Sequence, residues 1–187
     1  MIVTKNQSIE DIETLISKGF RLFGENRVQE AMQKYENLQA YEKLELHMIG
    51  PLQTNKVKIA LKIFDTIQSV DRHSLVDQIS KESSKKKCRT EEYYIQVNIG
   101  DEKQKSGVPV KDLFDLYEYS LGKKLNITGL MCIPPNIQDP SEYFEQIKKI
   151  RDKIDKKLKL SIGMSNDYKI ALSYESNMIR IGSLIFS

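Results

Sequence analysis

The chain has 187 residues, of which 40% are hydrophobic and 29% are charged, so it is long enough to bury the core of one domain. Its net charge of +3 is a small excess over 26 acidic residues, which argues against a nucleic-acid partner. The two cysteines, Cys88 and Cys132, have no metal-ligand spacing, and a disulfide framework is not expected. Without a signal-like N-terminus or an apolar run of membrane length, the sequence predicts a cytoplasmic protein with no membrane partner and no metal.

Short β-branched stretches typical of strands alternate along the chain with amphipathic stretches typical of helices. Ser8 is suited to cap the first helix, which is predicted to end at Gly19. The strands are predicted over 2–4, 21–24, 44–49, 66–70, 93–98, 126–131, 159–162 and 178–181. The later helices are predicted over 27–38, 55–64, 72–82, 111–121, 141–157 and 166–174.

Alternating strands and helices predict a parallel sheet with helical crossovers, and eight such units close a TIM barrel. The alternative is an open doubly wound sheet. That fold expects a glycine-rich turn after its first strand, whereas residues 5–8 contain no glycine. We therefore expect one (β/α)8 barrel domain over residues 1–187. No helix is predicted before the first strand or after the last, so the barrel is expected to lack both flanking helices.

Small residues follow the seventh and eighth predicted strands, where barrels of this kind usually bind phosphate. Ser165 follows Gly163-Met164 and is predicted at the N-terminus of a helix, while Gly182-Ser183 follows the last strand. Their backbone N–H groups and hydroxyls could bind an anion, although a helix cap and a plain turn would use the same residues. The occurrence of both at the expected strands favours a phosphate site.

Lys5 follows the first predicted strand, at the same edge of the barrel. A lysine there is often a surface residue. Partial burial, however, would lower its pKa and make its amine a carbonyl-reactive group. A Schiff-base lysine facing a phosphate site suggests a phosphorylated aldehyde, of which pyridoxal phosphate (PLP) is the common one.

These residues occur together with further motifs in an order that resembles the YggS/PROSC family of PLP-binding homeostasis proteins. The matching stretches span nearly the whole chain, and they are Val3-Thr4-Lys5, Phe23-Gly24-Glu25-Asn26, His47-Met48-Ile49-Gly50-Pro51-Leu52-Gln53, Ser69-Val70-Asp71, Gln96-Val97-Asn98, Lys105-Ser106-Gly107, Gly129-Leu130-Met131, Gly163-Met164-Ser165 and Ile179-Arg180-Ile181-Gly182.

The resemblance implies a fold-type III PLP barrel, like the N-terminal domain of alanine racemase. It implies that Lys5 forms the Schiff base and that Arg180 faces the pyridine nitrogen. The other implied contacts are Asn26 beside the cofactor, a phosphate site of Ser165, Gly182 and Ser183, and the further pocket residues His47, Met131 and Met164. The role of Glu25 stays open. It either fixes its loop by pairing with a basic neighbour or has another function.

The chain also departs from the family pattern. Asn6-Gln7 stands where a lysine and a proline commonly follow the Schiff-base lysine, and Arg27 stands where a tyrosine is common. Ser183 replaces a usual threonine but keeps the hydroxyl that a phosphate contact needs.

Three functions remain open at this point. The first is PLP binding and homeostasis without strong catalysis, because an arginine at the pyridine nitrogen makes the ring a weaker electron sink than an acid would. Its partners would be PLP and PLP-dependent apo-enzymes, and the chain would be a monomer or a weak dimer. The second is a small racemase that uses Tyr93, Tyr94 or His47 as its base. The third is a barrel that binds a different phosphorylated metabolite.

Overall fold

A computed structural model of the protein describes residues 1–36, 38–85 and 87–186, and it contains alternating strands and helices. The strands are β1 Ile2–Val3, β2 Leu22–Glu25, β3 Glu45–Met48, β4 Thr66–Val70, β5 Glu92–Asn98, β6 Val108–Pro109, β7 Ile127–Cys132, β8 Lys159–Met164 and β9 Met178–Arg180. The α-helices are α1 Ile9–Ser17, α2 Val28–Tyr35, α3 Val57–Ile63, α4 His73–Ser83, α5 Leu113–Gly122, α6 Ser141–Ile154, α7 Tyr168–Ser173 and α8 Ser183–Phe186. The helix predicted over 27–38 includes Asn37, which lies outside the described residues.

The sheet is parallel throughout, and its strands follow one another in chain order as β1-β2-β3-β4-β5-β7-β8-β9. Its two ends meet, because Ile2 bridges Ile181 and the Val3 N–H donates to the Ile181 carbonyl at 2.7 Å. The sheet is therefore a nearly closed barrel of eight strands, as predicted, and the open doubly wound alternative is wrong.

Two short elements were not predicted from the sequence. Strand β6, Val108–Pro109, lies in the stretch read as a polar loop and pairs with the end of β5 at Val97 and Asn98. The helical turn Ser183–Phe186 follows β9, where no helix was expected. Two and four residues are too few to show a strand or helix period, so neither element leaves a readable pattern.

The buried apolar residues of the strands and helices form one hydrophobic core cluster. Helix α1 turns Ile12 and Leu15 into it, and Ser8 caps that helix by accepting a hydrogen bond from the Asp11 N–H at 3.1 Å. The barrel interior also encloses polar side chains, including His47, Gln68 and Ser161. These interior polar groups lie below the end of the barrel where the strands run into the helices.

Candidate functional site

A cleft of ≈ 1010 Å³ opens at the carboxyl-terminal ends of the strands, where barrel enzymes and ligand-binding barrels place their sites. Loops after several different strands form its walls. The residues that line the cleft include Lys5, Asn26, Gly50, Gln96, Lys105, Met164, Ser165, Asp167, Arg180, Gly182 and Ser183. Seven residues that the sequence analysis placed at the site thus line one cleft: Lys5, Asn26, Met164, Ser165, Arg180, Gly182 and Ser183.

His47 and Met131, predicted as pocket residues, do not line this cleft. Both side chains are buried inside the protein. His47 lies within β3, whereas the cleft wall on that side is formed by Ile49, Gly50 and Pro51, two residues further along the chain. Met131 likewise precedes the end of β7. The side chains of His47 and Met131 therefore lie deeper in the barrel than the cleft wall, where the resemblance to the family had placed them.

Lys5 lies at the mouth of the cleft, and its side chain is exposed and not partly buried. Its neighbour Thr4 is completely buried and continues the ladder of β1, because the Thr4 N–H donates to the Gly24 carbonyl at 3.0 Å. The chain therefore passes from the barrel wall to the cleft within one residue. The Lys5 amine is accessible to a ligand that enters the cleft.

Glu25 answers the question that the sequence left open. Its side chain is 0% exposed, and Oε1 accepts hydrogen bonds from the Thr4 hydroxyl at 2.8 Å and from Lys34 Nζ at 3.1 Å. The other carboxylate oxygen, Oε2, is buried without a hydrogen-bond partner. Glu25 therefore pairs with a basic neighbour, Lys34, which is one of the two roles left open. Its carboxylate also connects Thr4, the residue before Lys5, to helix α2.

We expect Glu25 to make stability depend on pH. Burial raises the pKa of Glu25 above its ordinary value, while hydrogen bonds from Thr4 and Lys34 oppose that rise. The folded state therefore takes up a proton more readily than the unfolded chain, and this contribution to stability is lost as pH rises through the folded-state pKa.

Relative to Glu25→Gln, the wild-type chain should accordingly gain unfolding free energy as the pH is lowered from neutral toward the ordinary glutamate pKa of 4.5. Urea unfolding at several pH values measures this difference, with Glu36→Gln as the control because Glu36 is an exposed glutamate at the end of α2. A difference that stays constant or changes in the opposite direction would contradict the burial of a carboxylate here.

The turn after β8 brings Ser165 next to the end of β9. The Gly182 N–H donates to Ser165 Oγ at 3.4 Å, and the turn itself is closed by Asp167, whose Oδ1 accepts from the Met164 N–H at 2.6 Å. Helix α7 begins only at Tyr168, so Ser165 lies in this turn and not at a helix N-terminus, and that prediction is wrong. Ser165, Gly182 and Ser183 nevertheless all line the cleft, and the hydrogen bond between Gly182 and Ser165 places the two turns side by side.

Arg180 reaches the cleft from the interior and is only 4% exposed. Its Nη1 donates to the Ser161 carbonyl at 2.6 Å and to Ser161 Oγ at 2.9 Å, and its Nη2 donates to the Cys132 carbonyl at 2.8 Å. Burial lowers the pKa of Arg180, although Asp167 opposes this. Among the residues that the structure describes, Arg180 forms no ion pair with a carboxylate, so its guanidinium is fixed by neutral acceptors.

A chain of hydrogen bonds joins Arg180 to His47 through the barrel interior. Ser161 Oγ, which accepts from Arg180, donates to Gln68 Oε1 at 2.7 Å, and Gln68 Nε2 lies 2.7 Å from His47 Nδ1. Because an amide nitrogen only donates, His47 Nδ1 accepts and Nε2 donates to Glu45 Oε1 at 2.8 Å. His47 thus acts on the cleft at a distance, by supporting the residues that hold Arg180.

Gln96 also lines the cleft but was not assigned to the site from the sequence. It is buried, its Nε2 donates to the Ser106 carbonyl at 3.2 Å, and its Oε1 has no hydrogen-bond partner. The available signal was its position near the end of β5, within the stretch Gln96-Val97-Asn98 already matched to the family. A buried acceptor without a donor is a place where a ligand can supply the missing hydrogen bond.

Two classes of site find no support in the described ranges 1–36, 38–85 and 87–186. These residues contain no group of three or more His, Cys, Asp or Glu side chains arranged to hold a metal ion. None of their helices combines the length and the apolar character that crossing a membrane requires.

The family of the alanine racemase N-terminal domain matches residues 2–187, and the chain belongs to this family. Alanine racemase from Acinetobacter baumannii has the same fold, with a TM-score of 0.80 over 100% of this chain and 52% of that one, at 12% identity.

Among curated relatives, the chain is similar to proteins named pyridoxal phosphate homeostasis protein. That of Aquifex aeolicus (strain VF5) is 38% identical over 186 residues, which cover 95% of this chain and 81% of the relative. That of Buchnera aphidicola subsp. Schizaphis graminum is 37% identical over 195 residues, covering 98% and 83%. Within the larger family, the chain therefore groups with the pyridoxal phosphate homeostasis proteins, the group it was expected to resemble.

Solved structures of one such relative agree with this grouping. PipY of Synechococcus elongatus PCC7942 without PLP matches with a TM-score of 0.89 and 30% identity over 100% of this chain and 92% of that one. The structure of PipY with PLP bound matches with a TM-score of 0.86 and 29% identity over the same shares.

Proposed function

We propose that this chain binds PLP in the cleft through a Schiff base with Lys5 and serves intracellular PLP homeostasis without strong catalysis of its own. The observation that carries the proposal is that an accessible lysine, a cluster of small hydroxyl and glycine residues, and a buried arginine line one cleft. The names of the curated relatives and the PLP-bound structure of PipY support it.

The chemistry of the cleft residues fits this cofactor. PLP supplies an electrophilic aldehyde and a phosphate dianion on one ring. Lys5 offers an amine, and Ser165 and Ser183 offer hydroxyl donors. Gly182 lets its own backbone pack closely against that of Val3, since a Cβ at this position would lie 3.3 Å from the Val3 carbonyl oxygen. The Gln96 oxygen that lacks a partner offers a further acceptor in the same cleft.

The residues around Arg180 favour a binding role over a racemase. An arginine held by carbonyls and a hydroxyl does not deliver a proton to the ring nitrogen. Tyr93 and Tyr94, two of the candidate bases, are buried and absent from the cleft lining, and burial raises the pKa of Tyr94 to about 12. A phenol with such a pKa, away from the cleft, is poorly suited to remove a proton from an amino acid.

An absorbance titration of the purified chain with PLP tests this proposal. We expect a visible band that grows with PLP and disappears on borohydride reduction, with the cofactor retained on the protein. The same solution, incubated with an amino acid in deuterated water, should show negligible exchange at the α-carbon. Absence of the band would favour a different phosphorylated ligand, and rapid exchange would favour the racemase.

The proposed phosphate contacts make a separate prediction. Ser165→Ala and Ser183→Ala should each weaken PLP binding about tenfold, because each removes a hydrogen bond to a charged group. Neither variant should change the binding of pyridoxal, which has the aldehyde but no phosphate. Ser173→Ala, an exposed serine of α7, serves as the control. Equal losses for PLP and pyridoxal would mean that these serines do not contact the phosphate.

Delivery of PLP to apo-enzymes is the partner interaction that we propose. In the presence of an enzyme that removes free PLP, the PLP-loaded chain should still activate a PLP-dependent apo-enzyme. Free PLP at an equal concentration should not activate it under the same conditions. If activation stops with the scavenger present, transfer passes through free PLP. We further propose a cytoplasmic location. We also propose a monomeric or weakly dimeric state, which sedimentation of the purified chain can test.

A further inference from the structure

The backbone on both sides of Lys5 is held by side chains of helix α2. Lys34 Nζ donates to the carbonyl of Thr4 at 2.6 Å, and Glu30 Oε1 accepts from the N–H of Asn6 at 2.6 Å. Asn6 has a φ of 60°, a left-handed conformation that few residues other than glycine adopt readily. Lys5 therefore lies between two peptide groups that α2 fixes directly.

Lys34 is the centre of this arrangement. It is 8% exposed, and its ammonium has three acceptors: the Thr4 carbonyl, Glu25 Oε1 at 3.1 Å and Glu30 Oε1 at 2.6 Å. An ammonium group has three N–H donors, so all of them are used. Because Glu30 accepts from both Lys34 and Asn6, the side chains form one continuous connection around Lys5.

The Thr4 side chain adds a second attachment to the same helix. Its hydroxyl donates to Glu25 Oε1, and Tyr35 Oη lies 2.7 Å from Thr4 Oγ1. Since the Thr4 proton is committed to the carboxylate, Tyr35 is the donor in that contact. Both Tyr35 and Glu25 are fully buried, so water does not compete for these hydrogen bonds.

Such support is needed because the sheet stops just before Lys5. Strand β1 is only Ile2–Val3, and the Thr4 N–H makes the last ladder bond toward β2. Beyond that bond, Lys5 is on an exposed loop, which by itself would leave its Cα several positions to sample. We propose that Lys34 and Glu30 are positioning residues that aim Lys5 into the cleft. This inference rests on the proposed function.

The test uses the full chain and separates positioning from folding. Glu30→Ala removes the acceptor of the Asn6 N–H, whereas Glu30→Gln keeps an oxygen at the same length. Glu10→Ala is the matched control, because Glu10 also lies in the first turn of a helix and is exposed. For each variant, we would measure PLP affinity, the fraction of bound PLP that borohydride traps on the protein, and the unfolding temperature.

We expect Glu30→Ala to lower the apparent PLP affinity about tenfold and to reduce the trapped fraction, since Glu30 no longer accepts from the Asn6 N–H or from Lys34 Nζ. Glu30→Gln should recover most of the trapped fraction, and Glu10→Ala should match the wild type. The contacts of the phosphate would remain, so PLP should still bind noncovalently. A change in the trapped fraction without a matching change in unfolding temperature is a result that a purely structural role would not give.

A second variant tests the inference separately, because a water molecule could replace the Glu30 carboxylate as the acceptor of the Asn6 N–H in Glu30→Ala. Lys34→Met keeps an unbranched side chain as far as Cε but removes the ammonium that donates to the Thr4 carbonyl, and it should lower the trapped fraction further than Glu30→Ala does. Should this variant not fold, Glu30→Ala decides alone. Unchanged trapping in the folded variants, with normal adduct formation in the wild type, would overturn the inference. Absence of an adduct in the wild type would instead overturn the proposed function.

Discussion

Lys5→Ala should abolish the visible PLP band completely while leaving the fold intact. The amine of Lys5 is exposed at the cleft, so its removal takes away the covalent attachment without opening a cavity. The unfolding free energy should accordingly change by no more than about 0.5 kcal/mol, as for most surface substitutions. PLP should still bind weakly through its phosphate.

The measurement is an absorbance titration beside thermal unfolding, with Lys18→Ala as the control because Lys18 is an exposed lysine at the end of α1. Lys105 is the informative comparison, since it also lines the cleft but donates to the Pro134 carbonyl at 2.9 Å. If the band persists in Lys5→Ala and disappears in Lys105→Ala, the covalent attachment is on Lys105 and the assignment to Lys5 is wrong.

Gly50→Ala should have a large effect on both stability and PLP binding. A Cβ at this position would lie 2.2 Å from the carbonyl oxygen of Asn26 and 2.8 Å from its Cα, which are backbone atoms that cannot rotate away. We expect a loss of about 3 kcal/mol in unfolding free energy, at the upper end of the usual cost of forcing atoms into a packed site. Because Asn26 lines the cleft, its displacement should also weaken PLP binding about tenfold.

Gly122→Ala provides the matched control for this substitution. Gly122 ends α5, and a Cβ there meets nothing within 4 Å. Alanine should therefore be neutral or stabilising by up to about 1 kcal/mol. Urea unfolding of the two variants gives the comparison. If Gly50→Ala is as stable as Gly122→Ala and binds PLP normally, the close contact between Asn26 after β2 and Gly50 after β3 does not shape the cleft.

The order of most barrel elements was readable from the sequence because short β-branched stretches alternate with amphipathic stretches. Strand β4 is an example, since Thr66–Val70 was predicted with the bounds that the structure gives. The ends of strands also located the cleft, because in a parallel barrel all the carboxyl ends face one side. Lys5, Ser165 and Arg180 could therefore be brought together before their positions were known.

The depth of a side chain and its tertiary partners could not be predicted in the same way. His47 stands in a family motif but is buried within β3, and the cleft wall begins two positions later, at Ile49. Glu25 and Lys34 are nine residues apart on different elements, and only the packing of α2 on the barrel brings them to 3.1 Å. The positions of helix ends set a further limit, as the later start of α7 showed for Ser165.

The most direct test of PLP binding through Lys5 is to locate the covalent attachment itself. The chain is mixed with PLP, reduced with borohydride, digested, and its peptides are analysed by mass spectrometry. The residues that line the cleft predict that the reduced cofactor is found on the peptide containing Lys5, in proportion to the visible band lost. Attachment at another lysine such as Lys105, or no modified peptide at all, would contradict Lys5 as the residue that binds the cofactor.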